Sequence, residues 1–454
     1  MPIRRLDALL RRPETLRDRA LSASMWNVIG LGLRYPLRLI GNLIMVRLLA
    51  PEAFGLMATV GAFHIGLMLL SDVGITQSVM RSEKGEEPRF LGAVWVVQIL
   101  RGVLITGILF AAALVIWLLG PEFAAPESVY ADPLLPLLLV FSSLALLARG
   151  AQSTAVLLAR RRMRLGRVMA VELGGQVVGL IVTVALGLLI QNVWALVIGM
   201  VMREVASLIL SHRIVPGPAM RWVWDPAEKR ALWQFGRWMV IAAIGGFFAT
   251  YSDRLILGGL IDKTLFGIYA IAMVWIEIGV QLLQRIGQSI FIPSFAQIMR
   301  ERPQRTDGAL RRANLLFGGL VVAVYLGMTL IGGLLIDLLY PEIYAPAKAF
   351  IPLLAFRLLL IGFLPMRQFI VAQGDSRYVA LVQTVAGISA AAAVYVAFTP
   401  FGLHGAILAF AVATLPSGLL ILAYPGMLKR TGWGPLIMAL AYPVFVWGAA
   451  SLLI

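Results

Sequence analysis

Arginine is the residue whose placement in this chain demands a chemical explanation. Positions 34, 38, 101, 149, 203, 254, 285, 357 and 367 fall within or beside long apolar stretches, with a smaller set of acids, Asp72, Glu172, Glu204, Asp253 and Glu277. A charged side chain at the centre of a bilayer costs roughly 3 kcal/mol on insertion scales unless it meets water or a partner. Nine isolated arginines would be prohibitive, so most must line a hydrated interior or pair with acids. Their spacing is ordered. Asn27, Arg34, Arg38 and Asn42 share one helix face by the i, i+4, i+7 relation. Glu277, Gln281, Gln284, Arg285 and Gln288 make a second stripe, and Ser142, Arg149 and Ser153 a third. Arg47, Glu172 and Arg367 read instead as helix ties or snorkelling groups, and Arg101 fits either role.

An interior with more guanidinium than carboxylate suits an anionic cargo, because a guanidinium fork matches phosphate oxygens in bidentate fashion. Arg34, Arg38, Arg149, Arg285 and Arg357 are the candidate binders of such a group, with pyrophosphate the natural form. Asp72, Asp253 and Glu277 are candidates either for binding a driving cation or for balancing an arginine. A cationic-drug exporter calls for the opposite bias. Cysteine is absent and only three histidines occur, His64, His212 and His404. That excludes disulfides, thiolate metal sites and cysteine nucleophiles, and no metal, cofactor or covalent chemistry is expected.

The elements that must carry these residues follow from composition. Hydrophobic residues make up 60% and charged residues 14% of the 454, with mean hydropathy +0.87, far outside the range of soluble domains. Stretches of 18 to 30 residues with few charges are long enough to cross about 30 Å of hydrocarbon as helices. Thirteen such segments are expected: 24–48, 54–80, 90–119, 133–158, 168–190 and 193–210 as a first set of six, then 232–260, 265–290, 309–335, 349–372, 378–398 and 405–422, with 435–454 in addition. The expected fold is an all-α polytopic membrane protein with two six-helix lobes around a central cavity. Its parts are a basic arm 1–23, a lobe 24–210, a linker 211–231 with an interfacial helix, a lobe 232–428 and a further helix 435–454. The apolar run reaches Ile454 without a polar tail, so either the last helix ends at the far interface or, the favoured expectation, a fourteenth helix follows. The first segment is too long and too charged for a cleaved signal peptide.

Charge sets the orientation. Alternate connections, beginning with the amino-terminal arm, hold 27 Lys and Arg, whereas the opposite connections hold Lys263, with Lys348 at a helix edge. Positive-inside bias places the rich side, and the N-terminus, in the cytoplasm. The same asymmetry accounts for the net charge of +16 without nucleic acid, and clusters such as Arg160, Arg161, Arg162, Arg164 and Arg167 read as topology determinants near anionic lipid. The arm forms either an amphipathic helix on lipid or a basic tail. Asp225, Pro226 and Glu228 have capping-box spacing and predict a short interfacial helix flanked by Trp222, Trp224, Trp233 and Trp238. Prolines 36, 136, 293, 352, 365 and 416 are candidate bends, Pro36 foremost because it lies between Arg34 and Arg38.

Phe54, Gly55 and Leu56 recur as Phe266, Gly267 and Ile268, 212 positions on, and Gln77 and Ser78 recur as Gln288 and Ser289. Such a diverged repeat relates two halves by an axis along the membrane normal. The stretch RLLAPEAFGLMATVGAFHIGLMLLSDVGITQSVMRSE, residues 47–83, and YSDRLILGGLIDKTLFGIYAIA, residues 251–272, resemble signatures of polysaccharide and O-antigen flippases. These belong to the Wzx-like branch of the multidrug/oligosaccharidyl-lipid/polysaccharide exporter superfamily. The resemblance implies a V-shaped cavity, 12 to 14 helices, residence in a bacterial inner membrane, and export of undecaprenyl-pyrophosphate-linked oligosaccharide from cytoplasm to periplasm, with membrane lipids and polysaccharide polymerase or assembly proteins as partners. In similar lipid II flippases cavity arginines hold the pyrophosphate, but no motif here transfers them one for one. Two rival readings stand beside it. One is export of drugs or another lipid. The other, a membrane polymerase or ligase, is weakened because the connection 120–133 has no His, Arg or Lys.

Overall fold

The computed structural model describes residues 16–71, 75–218, 222, 226–432 and 434–453. The basic residues before position 16, Asp72, Trp224 and Asp225 lie outside the described residues, as do the side chains of Arg17, Arg19, Asn27, Trp233 and Trp238.

Every long apolar run is helical, because in hydrocarbon a helix satisfies its backbone polar groups internally. In chain order the helices are α1 (Leu16–Leu48), α2 (Pro51–Leu70), α3 (Ile75–Arg81), α4 (Pro88–Phe123), α5 (Leu134–Gly150), α6 (Ala155–Arg161), α7 (Leu165–Ile190), α8 (Trp194–Arg213) and α9 (Pro226–Leu260). They continue as α10 (Lys263–Glu301), α11 (Thr306–Leu339), α12 (Ala347–Leu359), α13 (Leu364–Ala372), α14 (Ser376–Val412), α15 (Leu415–Ala423), α16 (Met427–Thr431) and α17 (Gly434–Leu453). Among the described residues there is no strand, and eight helical runs are long and apolar enough to cross a membrane, nine if α5 and α6, bent by 57°, count as one span. One of the eight, Ser376–Ala423, joins the expected segments 378–398 and 405–422. Inside it Gly402 adopts φ 61° two residues after Pro400, a conformation that glycine reaches without a Cβ clash. Segments 24–48, 232–260 and 435–454 fall in α1, α9 and α17, whose side chains are described in part.

Several helix boundaries differ from the sequence reading. The segment 54–80 is two helices, since α2 ends at Leu70 and the capping Ser71 donates its hydroxyl to the Leu67 carbonyl at 2.5 Å. No short interfacial helix separates from the span at 226: α9 starts at Pro226 and runs unbroken to Leu260, because Ala, Glu, Lys and Arg after the proline are good helix formers. Pro36 lies inside an unbroken α1. Pro365 and Pro416 sit in the first turns of α13 and α15, where the missing N–H costs nothing, so they start helices rather than bend them.

Contacts divide the chain into two compact units. Unit 1 comprises residues 1–49, 73–117 and 134–236, and unit 2 comprises 50–72, 118–133 and 237–454. In unit 1, α7 packs against α1 and α8, and α8 against α5. In unit 2, α10 is central, packing against α2, α11, α12 and α13 with Phe266, Tyr269, Met273 and Ile276 fully buried. Its start is fixed by Asp262, whose carboxylate accepts from the Thr264 and Leu265 amides at 3.1 and 2.9 Å, a side-chain cap of two otherwise orphaned donors. The segment before α5 latches onto the same corner: the Ala125 amide donates to the Gly259 carbonyl, the Lys263 amide to the Glu127 carbonyl, and the Lys263 ammonium to Asp132 at 2.7 Å.

Within unit 2 the repeated motif meets itself. A Cβ on Gly55 of α2 would stand 2.8 Å from the Lys263 carbonyl oxygen and 3.2 Å from the Gly267 nitrogen, and one on Gly267 would strike the Pro51 carbonyl. Two glycines let the backbones of α2 and α10 touch, the small-residue contact that van der Waals packing in membranes favours. Phe54 and Phe266, their preceding neighbours, are both buried.

Candidate functional site

In unit 1, Glu172 and Glu204 each face more than one arginine. Glu172 on α7 accepts from Arg34 of α1 and from Arg160 of α6, the latter at 2.5 Å. Gln176, one turn further along α7, donates to the Arg34 carbonyl at 2.8 Å. Arg34 is thus anchored on both its side chain and its backbone. Arg38, one turn along α1, is exposed. Glu204 on α8, 7% exposed, is bound by neighbouring Arg203 at 2.7 Å, lies 3.9 Å from Arg149 and faces the Gln152 amide at 3.5 Å. Of the third stripe, Ser142 is fully buried and turns its hydroxyl back to the Leu139 carbonyl.

Unit 2 holds an ion pair at greater depth. Arg254 on α9 donates to Glu277 on α10 at 2.6 Å, the side chains being 9% and 15% exposed. The guanidinium also stacks over the Tyr251 ring at 4.9 Å. Asp253 beside it is fully buried; one carboxylate oxygen accepts the Tyr269 hydroxyl at 2.6 Å while the other has no hydrogen-bond partner. Glu277 therefore balances an arginine, and Asp253 has an oxygen left over.

A cavity of about 350 Å³ lies nearby within unit 2, walled by α9, α10, the helical break 360–363 between α12 and α13, and α14 and α15. Its polar lining is Thr250, Gln284, Gln288, Arg357, Arg367, Gln383, Thr414 and Ser417, and among the described residues no acid lines it. Arg357 is held by the Ala249 and Thr250 carbonyls at 3.2 and 3.4 Å and lies 4.5 Å over the Phe410 ring. Arg367 donates to the Gln383 amide oxygen at 3.3 Å.

Of the five arginines singled out by sequence, Arg34, Arg38 and Arg149 belong to unit 1 and Arg285 and Arg357 to unit 2. Arg357 lines the cavity, as do Gln284 and Gln288 of the second stripe, whereas Arg285 on the same helix is exposed and outside the lining. Arg367, read from sequence as a helix tie or snorkelling group, does tie α13 to α14 through Gln383 and in addition lines the cavity. The signal was present: Arg357 and Arg367 bracket Gly362 and Pro365, and a break between two arginines brings both to one point of the chain. Among the described residues no cluster of His, Asp or Glu could hold a metal.

A family described as polysaccharide biosynthesis protein matches residues 44–349. A curated relative, the succinoglycan biosynthesis transport protein ExoT of Rhizobium meliloti (strain 1021), is 24% identical over 285 residues, 63% of this chain and 55% of that protein. The chain thus matches little more than half of that relative's length. Among solved structures, a multidrug resistance MATE family transporter of the MOP superfamily in its inward-facing conformation superposes with TM-score 0.64 and 12% identity, covering 92% of this chain and 94% of that one. The lipid II flippase MurJ in an inward closed conformation gives TM-score 0.62 and 12% identity, covering 94% and 97%. At such identity the likeness is one of fold.

Proposed function

The chain belongs to the polysaccharide biosynthesis protein family, a multi-pass membrane transporter with a MATE- and MurJ-like fold, and from that premise we propose that it is a flippase for polyprenyl-pyrophosphate-linked oligosaccharide. The cargo enters from the cytoplasmic leaflet of a bacterial inner membrane, its sugar head and pyrophosphate in the protein and its polyprenyl tail in lipid. Alternating access then presents the head to the periplasmic side. No covalent step is required.

The observation that carries this reading is the charge left after pairing. Glu172, Glu204 and Glu277 are each engaged by arginine, and Arg38, Arg285, Arg357 and Arg367 have no carboxylate partner among the described residues. A surplus of guanidinium favours a phosphate-bearing cargo over a cationic one. Arg34, Arg38 and Arg149 in unit 1, and Arg285 and Arg357 in unit 2, are the candidates for binding the pyrophosphate in this scheme. Glu172, which also accepts from Arg160, competes with the cargo for the Arg34 guanidinium. Asp253, with a buried oxygen to spare, is the candidate for ion coupling, alongside Asp72.

The test is the leaflet distribution of polyprenyl-pyrophosphate oligosaccharide in cells lacking the protein. Accumulation in the cytoplasmic leaflet, relieved by the wild-type chain and not by one carrying Arg34→Ala with Arg38→Ala, is expected. Normal flipping without the protein, in a strain with no redundant flippase, refutes the assignment.

A further inference from the structure

α17 is the helix that two six-helix lobes do not account for. It packs against α12, α14 and α15 of its own unit. One face is exposed, with Met438 at 76% and Val444 at 71%, while Tyr442 and Val446, one turn apart, are buried. A phenol sealed in an apolar setting needs a partner for its hydroxyl. Tyr442 donates to the Phe356 carbonyl at 2.5 Å, with the Ala411 carbonyl at 3.3 Å from the same oxygen. The Phe445 ring meets that of Phe356 edge-on at 5.8 Å, so two side chains of α17 engage one point of α12.

Both acceptors stand at helix ends. Phe356 lies in the last turn of α12, which stops at Leu359, and Ala411 in the last turn of α14, which stops at Val412. The final four carbonyls of a helix have no partner within it, and hydrocarbon supplies no water in place of one. At the two breaks the Leu360 amide turns to the Leu358 carbonyl and the Ala413 amide to the Phe410 carbonyl. The chain neighbours of the acceptors are Arg357 and Phe410, which stack on each other at 4.5 Å. Past its helix end each chain enters the cavity wall, as Leu360, Ile361 and Phe363 after α12 and Thr414 after α14. A single hydroxyl therefore fastens the two helix ends that carry the Arg357–Phe410 stack.

We propose that α17 is a stay for the wall of the unit 2 cavity and that Tyr442 is a positioning residue, whose hydroxyl sets the spacing of the α12 and α14 ends and so keeps Arg357 seated on Phe410. Tyr442 is outside the cavity lining, and its effect travels through backbone. Without the hydroxyl the two carbonyls lose their common donor, the breaks open more often, and Arg357 leaves the ring more often. That Arg357 serves transport rests on the transport reading; that Tyr442 fixes its place does not.

The first measurement is hydrogen exchange of the full chain in lipid nanodiscs, read by mass spectrometry over residues 356–364 and 409–416. Tyr442→Phe deletes one oxygen and keeps the ring, so the packing of α17 is retained. Exchange at both breaks should quicken by about fivefold or more, because amide protection there reports local opening, while α10 stays as in the wild type. Tyr130→Phe controls for the loss of a hydroxyl-to-carbonyl bond as such. Tyr130 donates to the Leu255 carbonyl of α9 at 2.8 Å, in the same unit, and its change should leave both breaks unaltered. Unchanged exchange in Tyr442→Phe, or equal quickening in Tyr130→Phe, overturns the stay. The second measurement is flipping rate in reconstituted vesicles. Tyr442→Phe should slow flipping about threefold in the wild-type chain but less than about 1.5-fold when Arg357→Lys has already removed the stacked guanidinium, since changes that act through one contact do not add. Equal proportional slowing in both backgrounds overturns the positioning role. If the wild-type chain flips nothing while exchange at the breaks depends on Tyr442, the transport reading falls and the stay stands. If flipping is normal and exchange is indifferent to Tyr442, the stay falls and the transport reading stands.

Discussion

Replacing Arg254 with leucine tests whether the ion pair of unit 2 is as buried as its geometry implies. The guanidinium lies 2.6 Å from Glu277 and beside Asp253, with side-chain exposures of 9% for Arg254 and 15% for Glu277. Removal leaves two carboxylates at low exposure with no guanidinium between them. Breaking a buried pair from one side costs about 3–5 kcal/mol, whereas replacing both partners by apolar groups of similar volume is often neutral. Arg254→Leu should therefore destabilise by about 3–5 kcal/mol. Glu277→Leu should cost less, because Arg254 keeps Asp253 as a neighbour. The double variant should recover at least half of the loss. Denaturant titration of the detergent-solubilised protein, followed by tryptophan emission, measures all three. An Arg254→Leu loss under about 1 kcal/mol, the range of exposed pairs, would show that water reaches the pair and would remove the argument.

Other perturbations address separate parts of the molecule. Gly55→Ala forces a Cβ to within 2.8 Å of backbone that has no rotamer with which to yield, and should destabilise by about 1–3 kcal/mol. Gly61→Ala on the same helix, where nothing lies within 4 Å, should be neutral or stabilising through helix propensity. The same titration separates the two, and equal effects would sink the close-contact explanation. Glu86, in the connection between α3 and α4, accepts from Arg162 at 3.1 and 2.7 Å, and these hydrogen bonds hold its carboxyl below the usual value. A depressed folded value means that the contribution is present above the unfolded carboxylate value of about 4.3 and disappears as pH falls through the folded one. Glu86→Gln should flatten stability against pH in that acidic window. Since Glu86 is half exposed, the neutral-pH cost should stay under about 1 kcal/mol, and an unchanged acid limb would refute the linkage.

The class of fold was legible because length and apolarity suffice to mark a crossing helix, whatever its partners. The start of α10 was legible in principle as well, from Asp262 ahead of Thr264. Interior breaks were not. Gly and Pro occur within continuous membrane helices as well as at their ends, so nothing local separates Pro36, inside an unbroken α1, from Pro365, at the start of α13. Stripe geometry placed Gln284 and Gln288 on one cavity wall but put Arg285 with them. One residue turns a side chain by 100° on a helix, and stripe membership by eye tolerates that error. Pairings such as Arg34 with Glu172, 138 positions apart, and Arg254 with Glu277 depend on which helices pack together, which periodicity does not encode. Arg367, read as a helix tie, does join α13 to α14 through Gln383, but its place on the cavity wall with Arg357 depends on helix packing in the same way.

The meeting of Gly55 with Gly267 bears on how such a chain can diverge. If its halves descend from one duplicated ancestor, the two copies of the Phe-Gly motif are partners as well as siblings, since neither glycine can acquire a side chain without obstructing backbone beside its counterpart. Drift at one copy is then selected against by the other. The pair should persist long after the surrounding sequence of the two halves has lost visible kinship, and substitutions at one position, where they are tolerated in other lineages, should be accompanied by a shift of the facing helix.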